Sequence, residues 1–316
     1  MKADFGTGEG TVLQKLMELQ LTVFILTALG FLFKKLKIFG GTGQKNLTDL
    51  VIDLVMPCNI VTGFLSGASR EALGDCLQIL LLSIVLQAFC VVYGKLRYRK
   101  TDEDRKRSLQ YGVLCPNAGF LGNPIAEGVF GATGLMYASV YLIPQRIMMW
   151  SEGLALFSGE KSVKRTLVKV VTHPCILACL LGIVLLLTGW TPPDLILTPV
   201  GVIGRCNTAL SMLVIGMILG DMDLKKCLNK TVILFTVERL LLIPALVLGV
   251  CLLLPVDPTV RDLSVLLAAM PAGATTGMLA AKYDRDPAFA TSLVVFSTLC
   301  SVPALPAWAF GLQMLR

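Results

Sequence analysis

Apolar residues run through this chain in blocks. Ten lie near residues 11–33, 47–67, 74–96, 108–131, 134–157, 173–190, 195–220, 230–254, 260–282 and 287–312. A helix needs about 20 residues to cross the hydrocarbon core of a bilayer. The pattern predicts an all-α polytopic membrane protein with ten transmembrane helices. Blocks four and nine are the least uniform.

Both irregular blocks are broken by residues that disfavour helix. Block four contains CPNAGFLGNP (115–124) and block nine contains AAMPAGATTGM (268–278). A proline inside a helix costs about 3 kcal/mol and a glycine about 1 relative to alanine. In lipid the freed backbone groups also need partners, so irregular backbone survives only inside protein or beside an aqueous cavity. A kinked packing helix explains one such block. Two at matched positions predict a functional crossover, because discontinuous helices in matched repeats mark transport sites. The half-helix N-termini there favour an anion. Asn117 and Asn123 would add amide groups, and Thr275 and Thr276 hydroxyls.

The match implies an order. The stretch SVKRTLVKVV (162–171) places Val163, Leu167 and Val170 on one face with Lys164, Arg165 and Lys169 between them, as in a helix lying on a membrane surface. Five blocks precede it and five follow. A tandem copy of an odd-numbered unit inserts upside down, the inverted-repeat plan of secondary transporters. The predicted division is a five-helix repeat at 1–158, a cytoplasmic linker at 159–171 and an inverted repeat at 172–316. Ala138-Ser139-Val140 with Pro144 and Trp150 matches Thr291-Ser292-Leu293-Val294 with Pro303, Pro306 and Trp308 faintly.

Composition agrees with the blocks. The chain is 55% hydrophobic and 16% charged, against roughly 25% charged for a soluble domain. Its net charge of +7 would suit a nucleic acid, but its distribution is that of a membrane topology. Twenty of the 28 basic residues fall in or beside the loops after blocks 1, 3, 5, 7 and 9. Lys2, Lys15, Arg70, Arg261 and Arg316 lie on the other side. The positive-inside rule then puts both termini outside the cytoplasm of a plasma or inner membrane. The N-terminus lacks the basic region and cleavable core of a signal peptide, so block one is expected to be its own insertion signal. The ten cysteines show neither a disulfide framework nor zinc spacing and read as small apolar packing residues. There is one histidine, His173, and GGTG (40–43) lacks the GK[ST] of a phosphate loop. Neither a hydrolytic centre nor ATP-driven pumping is expected, and no cofactor or metal is called for.

Ionisable residues at depth are functional candidates by default. Arg146 falls near the centre of block five, Arg205 near the centre of block seven and Arg239 in block eight. Each reads as a substrate contact or as half of a structural ion pair, with Asp49, Asp53, Glu127, Glu152 and Glu238 as partners. Arg146 is the favoured contact. Asp53 and Glu127 read as proton-titrating carboxylates, or as salt-bridge or water-facing groups. Asp49 and Asp53 share a helix face, and Pro57 and Asn59 follow. Asp75 reads as interfacial.

NAGFLGNP (117–124), GATGLMYASVYLIP and IMMW (147–150) resemble the fourth and fifth spans of the auxin efflux carrier family, which includes the plant PIN transporters and bacterial carriers named for malonate and malate. LSMLVIGMILGDMDLKK (210–226), ERLLLIPALVLGV (238–250) and the block 268–303 extend the resemblance over nearly the whole chain. The chain lacks the long cytoplasmic insert of plant PINs and is similar to the compact bacterial type. The resemblance implies a 5+5 inverted repeat related to bile-acid symporters and sodium–proton antiporters, with crossed broken helices four and nine. It implies a scaffold of spans 1, 2, 6 and 7, a moving domain of spans 3–5 and 8–10, and a dimer through the scaffold. Its crossover positions fall on Pro116, Asn117 and Pro271. Two departures stand out: His173-Pro174 where many bacterial members have Asn-Pro, and Gly273-Ala274-Thr275 where an asparagine is often seen.

The expected function is secondary transport of a small organic anion, auxin-like or a mono- or dicarboxylate such as malonate or malate. Pro116, Asn117, Gly119, Asn123, Pro124, Arg146, Pro271, Gly273, Thr275 and Thr276 are the expected substrate-binding residues. Export, or movement driven by membrane potential or protons, is favoured over sodium coupling, since no acid–Asn–Gln cage stands out. The rivals are a sodium-coupled symporter of the same fold and a membrane sensor that binds a ligand without moving it.

Overall fold

The computed structural model of the protein describes residues 9–67, 72–159, 168, 171–220 and 229–315, and every regular element among them is helical. The first is α1 (Glu9–Lys35), 27 residues and about 40 Å long at 1.5 Å per residue. Helices α2 (Gly41–Leu50) and α3 (Met56–Gly67) follow, joined by a π-helical turn at Val51–Val55. Then come α4 (Ala72–Arg97) and α5 (Glu103–Leu114), which stops at the first interruption. A π-turn at Ala118–Gly122 opens α6 (Asn123–Met148), and another at Met149–Gly153 opens α7 (Leu154–Ser158). Next are α8 (Pro174–Thr188), α9 (Asp194–Arg205) and α10 (Asn207–Gly220). Helices α11 (Lys230–Val237) and α12 (Ile243–Leu253) flank a π-turn at Glu238–Leu242. Helix α13 (Pro258–Ala268) ends at the second interruption, and α14 (Thr275–Lys282) and α15 (Pro287–Gln313) close the chain.

Local chemistry sets the helix ends. Helices α8, α13 and α15 each start on a proline, whose missing N–H would have had no intrahelical partner. Just before it, His173 Nδ1, Asp257 Oδ1 and Asp286 Oδ1 accept from the backbone N–H of Cys175, Thr259 and Phe289 at 3.3, 2.7 and 3.1 Å. Asn229 caps α11 in the same way, accepting from Val232 N at 2.9 Å. Gly131 breaks the run called α6: φ 67, ψ −157 is a region open almost only to glycine. That break falls where the sequence separates blocks four and five.

Six helical runs among the described residues are long and apolar enough to cross a membrane: Gly41–Ser66, Gly74–Arg97, Ala118–Ser158, Asp194–Gly220, Lys230–Leu253 and Pro287–Gln313. Outside these six, block one lies in α1, block six in the shorter apolar helix α8, and block nine in the interrupted pair α13 and α14. Their outer faces are greasy. Leu81, Leu187, Leu195 and Leu253 are 54, 63, 87 and 86% exposed, a surface that water would not tolerate in such extent. Inside, α1 packs on α10, α3 on α8, α9 and α6, α4 on α6, and α15 on α14, α11 and α5. The predicted linker and surface helix at 159–171 lie almost wholly outside the described residues, as do Lys225 and Lys226.

Candidate functional site

The two interruptions meet. Asn117 N donates to Pro271 O at 2.7 Å and Gly273 N to Cys115 O at 2.9 Å, so Pro116 and Ala272 form a one-residue antiparallel bridge. Each broken segment thereby gives its orphaned backbone groups to the other. This is how two non-helical stretches persist where water is scarce. The approach leaves no room for a side chain: a Cβ on Gly273 would lie 2.8 Å from the Cys115 carbonyl oxygen.

Two further helices fasten the crossing. Gln145 Nε2 on α6 donates to Pro116 O at 2.7 Å. Ser297 Oγ on α15 accepts from Ala272 N at 3.1 Å. Neither residue is conspicuous in the sequence, because a single polar residue in an apolar helix does not announce what it faces. Tyr111 OH of α5 donates to Thr275 Oγ1 at 3.1 Å, which joins the two broken blocks once more.

The π-turn that leads into α6 and the helix α14 both begin at the crossing, so two sets of helix N-terminal N–H groups converge on it. Around them lie buried polar atoms without a hydrogen-bond partner among the described residues: both amide atoms of Asn123, Oε1 of Gln145 and Oγ1 of Thr276. Buried polar groups are paired almost throughout native proteins, so these atoms mark where a polar ligand would be met. Asn117 is 5% exposed, and its backbone N–H rather than its side chain makes the bridge. Gly119 is half-buried, and a Cβ there would meet Met56 Cε at 3.9 Å, an ordinary contact. Pro124 sits in the first turn of α6. A groove of about 240 Å³ opens between α1, α10 and α15, and Leu121, four residues past Asn117, lines it with Phe24, Phe31, Thr298 and Ser301.

The structure divides the predicted ionisable set. Arg146 is buried with Nη1 unpartnered among the described residues. It faces His173, Cys175 and Cys179 of α8, while its neighbour Gln145 reaches the crossing. Arg239 is 1% exposed beside Cys90, Tyr141, Cys115 and Tyr98. Three of the expected acid partners, Glu127, Glu152 and Glu238, are engaged elsewhere. Glu238 pairs with Arg97 at 2.7 Å and accepts from Tyr98 OH, and Glu152 pairs with Lys95 at 2.7 Å. Arg97 and Lys95 stand at the basic end of α4, one helix over, which no spacing within blocks five or eight reveals. Arg205 ends α9 and is exposed, as are Asp49 and Asp53. Asp75 is not merely interfacial: Tyr137 OH donates to it at 2.7 Å. Glu127 is half-buried and accepts from Asn59 Nδ2 at 3.1 and 3.4 Å.

Comparison with known proteins places the chain among membrane transport proteins. A family profile described as "Membrane transport protein" matches residues 15–309. An uncharacterized transporter of Methanothermobacter thermautotrophicus is 28% identical over 297 residues, covering 92% of this chain and 97% of the relative. An uncharacterized transporter of Methanocaldococcus jannaschii is 24% identical over 305 residues, covering 93 and 98%. Auxin efflux carrier component 8 of Arabidopsis thaliana is 23% identical over 151 residues, covering 46 and 41%.

Proposed function

Because the chain belongs to the auxin efflux carrier family of membrane transport proteins, we propose that its crossing of broken helices is the binding site of a small organic anion. The protein is a multi-pass membrane transporter. In this reading it crosses a plasma or inner membrane ten times as two inverted five-helix halves, with both termini non-cytoplasmic. Helices α1–α3 and α8–α10 form a scaffold, and α4–α7 and α11–α15 move against it as an elevator. A homodimer would form through the scaffold, on the side where α9 leaves Leu195 and Ile196 exposed.

One observation carries the proposal. The crossing gathers helix N-termini with the unpartnered Asn123 Nδ2 and Thr276 Oγ1, and such donors in a low-dielectric setting suit a carboxylate. Asn117, Asn123, Thr275 and Thr276 would contact it. Pro116, Pro271, Gly119, Gly273 and Pro124 hold the backbone that presents the donors. Arg146 would attract the anion from the α8 side. The groove at Leu121 favours an anion with an apolar body, auxin-like, over a bare dicarboxylate such as malonate or malate. Export, or movement driven by potential or protons, fits a site without a second acid.

The test is flux of radiolabelled indole-3-acetate, malonate and malate in sodium-free proteoliposomes, for wild type and Asn117→Ala. The proposal expects carriage of at least one of them and its loss in the variant, with melting near wild type. Flux only with sodium supports the symporter rival. Ligand binding with no flux supports the sensor.

A further inference from the structure

Around Glu127 the structure assembles a polar chain that no spacing in the sequence announces. Asn59 Nδ2 of α3 donates to the Glu127 carboxylate. Asn207 Nδ2 of α10 donates to Asn59 Oδ1 at 3.2 Å, and Ser211 Oγ to Asn207 Oδ1 at 3.2 Å. Asn59, Asn207 and Ser211 are 3, 0 and 0% exposed. Each donor thus points down the chain toward one carboxylate.

The polar chain also crosses between the scaffold and the moving set of the proposed function, and the role of Glu127 rests on that division. The six ion pairs in which both partners are described residues lie within the proposed moving set. Asn59 to Glu127 is a carboxylate contact that bridges moving set and scaffold. Other polar contacts across that boundary among the described residues include Cys179 Sγ to Ser139 O, Arg146 beside His173, Cys175 and Cys179, and the Trp150 and His173 rings.

Glu127 has no cation to answer it among the described residues. On the elements packed against α6, Asp75 accepts from Tyr137, Arg261 pairs with Asp262, Glu152 with Lys95, and Lys34 donates to Gln44. Glu18 has a partner of its own. His173, Cys175 and Cys179 lie at Arg146, and α3 adds the thiol of Cys58. Burial and Asn59 are what act on Glu127.

We propose that Glu127 is the site of the coupling proton, and that Asn59, backed by Asn207 and Ser211, holds its ionised form against the scaffold. A charge-assisted bond to a carboxylate is roughly twice as strong as a neutral one, so ionised Glu127 pins the moving body. A proton from water adds to a carboxylate oxygen, weakens that bond and leaves a neutral acid, which crosses the bilayer far more cheaply than a charge. On the far side it returns to water and the carboxylate re-forms. Asn123 lies one turn before Glu127, so an anion at the crossing and an ionised Glu127 repel each other. Anion and proton therefore bind together and move in the same direction.

The experiment uses purified full-length protein in nanodiscs and in proteoliposomes. Infrared pH-difference spectra of wild type show a titrating carboxyl band that Glu127→Gln removes and whose midpoint Asn59→Ala moves. Glu127→Asp, which keeps a carboxyl, retains the band and serves as the folding control. In proteoliposomes an imposed pH gradient drives uptake of malonate or indole-3-acetate above that of protein-free vesicles, and Glu127→Gln loses the gradient response. A band unchanged in Glu127→Gln, a midpoint unmoved in Asn59→Ala, or a gradient response kept in Glu127→Gln overturns the assignment. If wild type carries neither probe, the anion reading fails by itself, and the infrared spectra still decide Glu127.

Discussion

Gly273 shows how tightly the crossing is specified at the scale of one residue. Its missing Cβ lets the Cys115 carbonyl approach, and a methyl group would sit 2.8 Å from that oxygen. Gly273→Ala is expected to destabilise the protein by about 1–3 kcal/mol, as overpacking does, and to lower its melting temperature in detergent. Gln145→Leu has a different cost. It strands the buried Pro116 carbonyl, which loses its 2.7 Å bond, a penalty of about 1–3 kcal/mol that chemical denaturation measures. Pro116 and Pro271 were legible in the sequence because proline interrupts a helix wherever it falls, and Asn117 because the family resemblance puts the crossover asparagine there. Gln145 and Ser297 were not. They reach backbone 29 and 25 residues away, and polar side chains in an apolar run carry no mark of direction. Glu238 and Glu152 were legible as acids within spans, but their partners Arg97 and Lys95 sit on another helix.

At the scale of elements, the irregular turns collect the chemistry. Asp53, Gly119, Glu152 and Glu238 each lie in a π-helical turn, a feature often found at functional sites. Such turns leave no periodic signature, so the sequence showed the acids without showing the widened backbone beneath them. The separation of blocks four and five was visible, and the structure supplies its reason in Gly131. Nothing lies within 4 Å of a Cβ built there, yet its φ is +67°. Gly131→Ala is therefore expected to lose about 1–3 kcal/mol through backbone strain alone. Thermal melting checks this, with Gly249→Ala, also in open space but without positive φ, near neutral or stabilising.

For the whole molecule, the distribution of charge carried more information than its total. The +7 net charge taken alone suits a polyanionic partner; its alternation between loops makes it a topology instead, and the family match agrees with a transporter. The proposed topology makes a prediction: cysteines introduced at residues 3 and 316 are both expected to react with a membrane-impermeant maleimide from outside intact cells, and labelling of one terminus alone would break the ten-crossing count. Residue pairing across the molecule stayed hidden, because Asn59 of α3 meets Glu127 of α6 and Asn207 at the start of α10 only once the chain has folded. The central claim is that the crossing of the two interruptions binds an organic anion. It is tested most directly by a thermal-shift screen of purified protein against mono- and dicarboxylates, run in parallel on wild type and Asn117→Ala. The account predicts that at least one carboxylate raises the wild-type melting temperature in a saturable way and leaves Asn117→Ala unmoved. Equal stabilisation of both proteins by the same anion would contradict it.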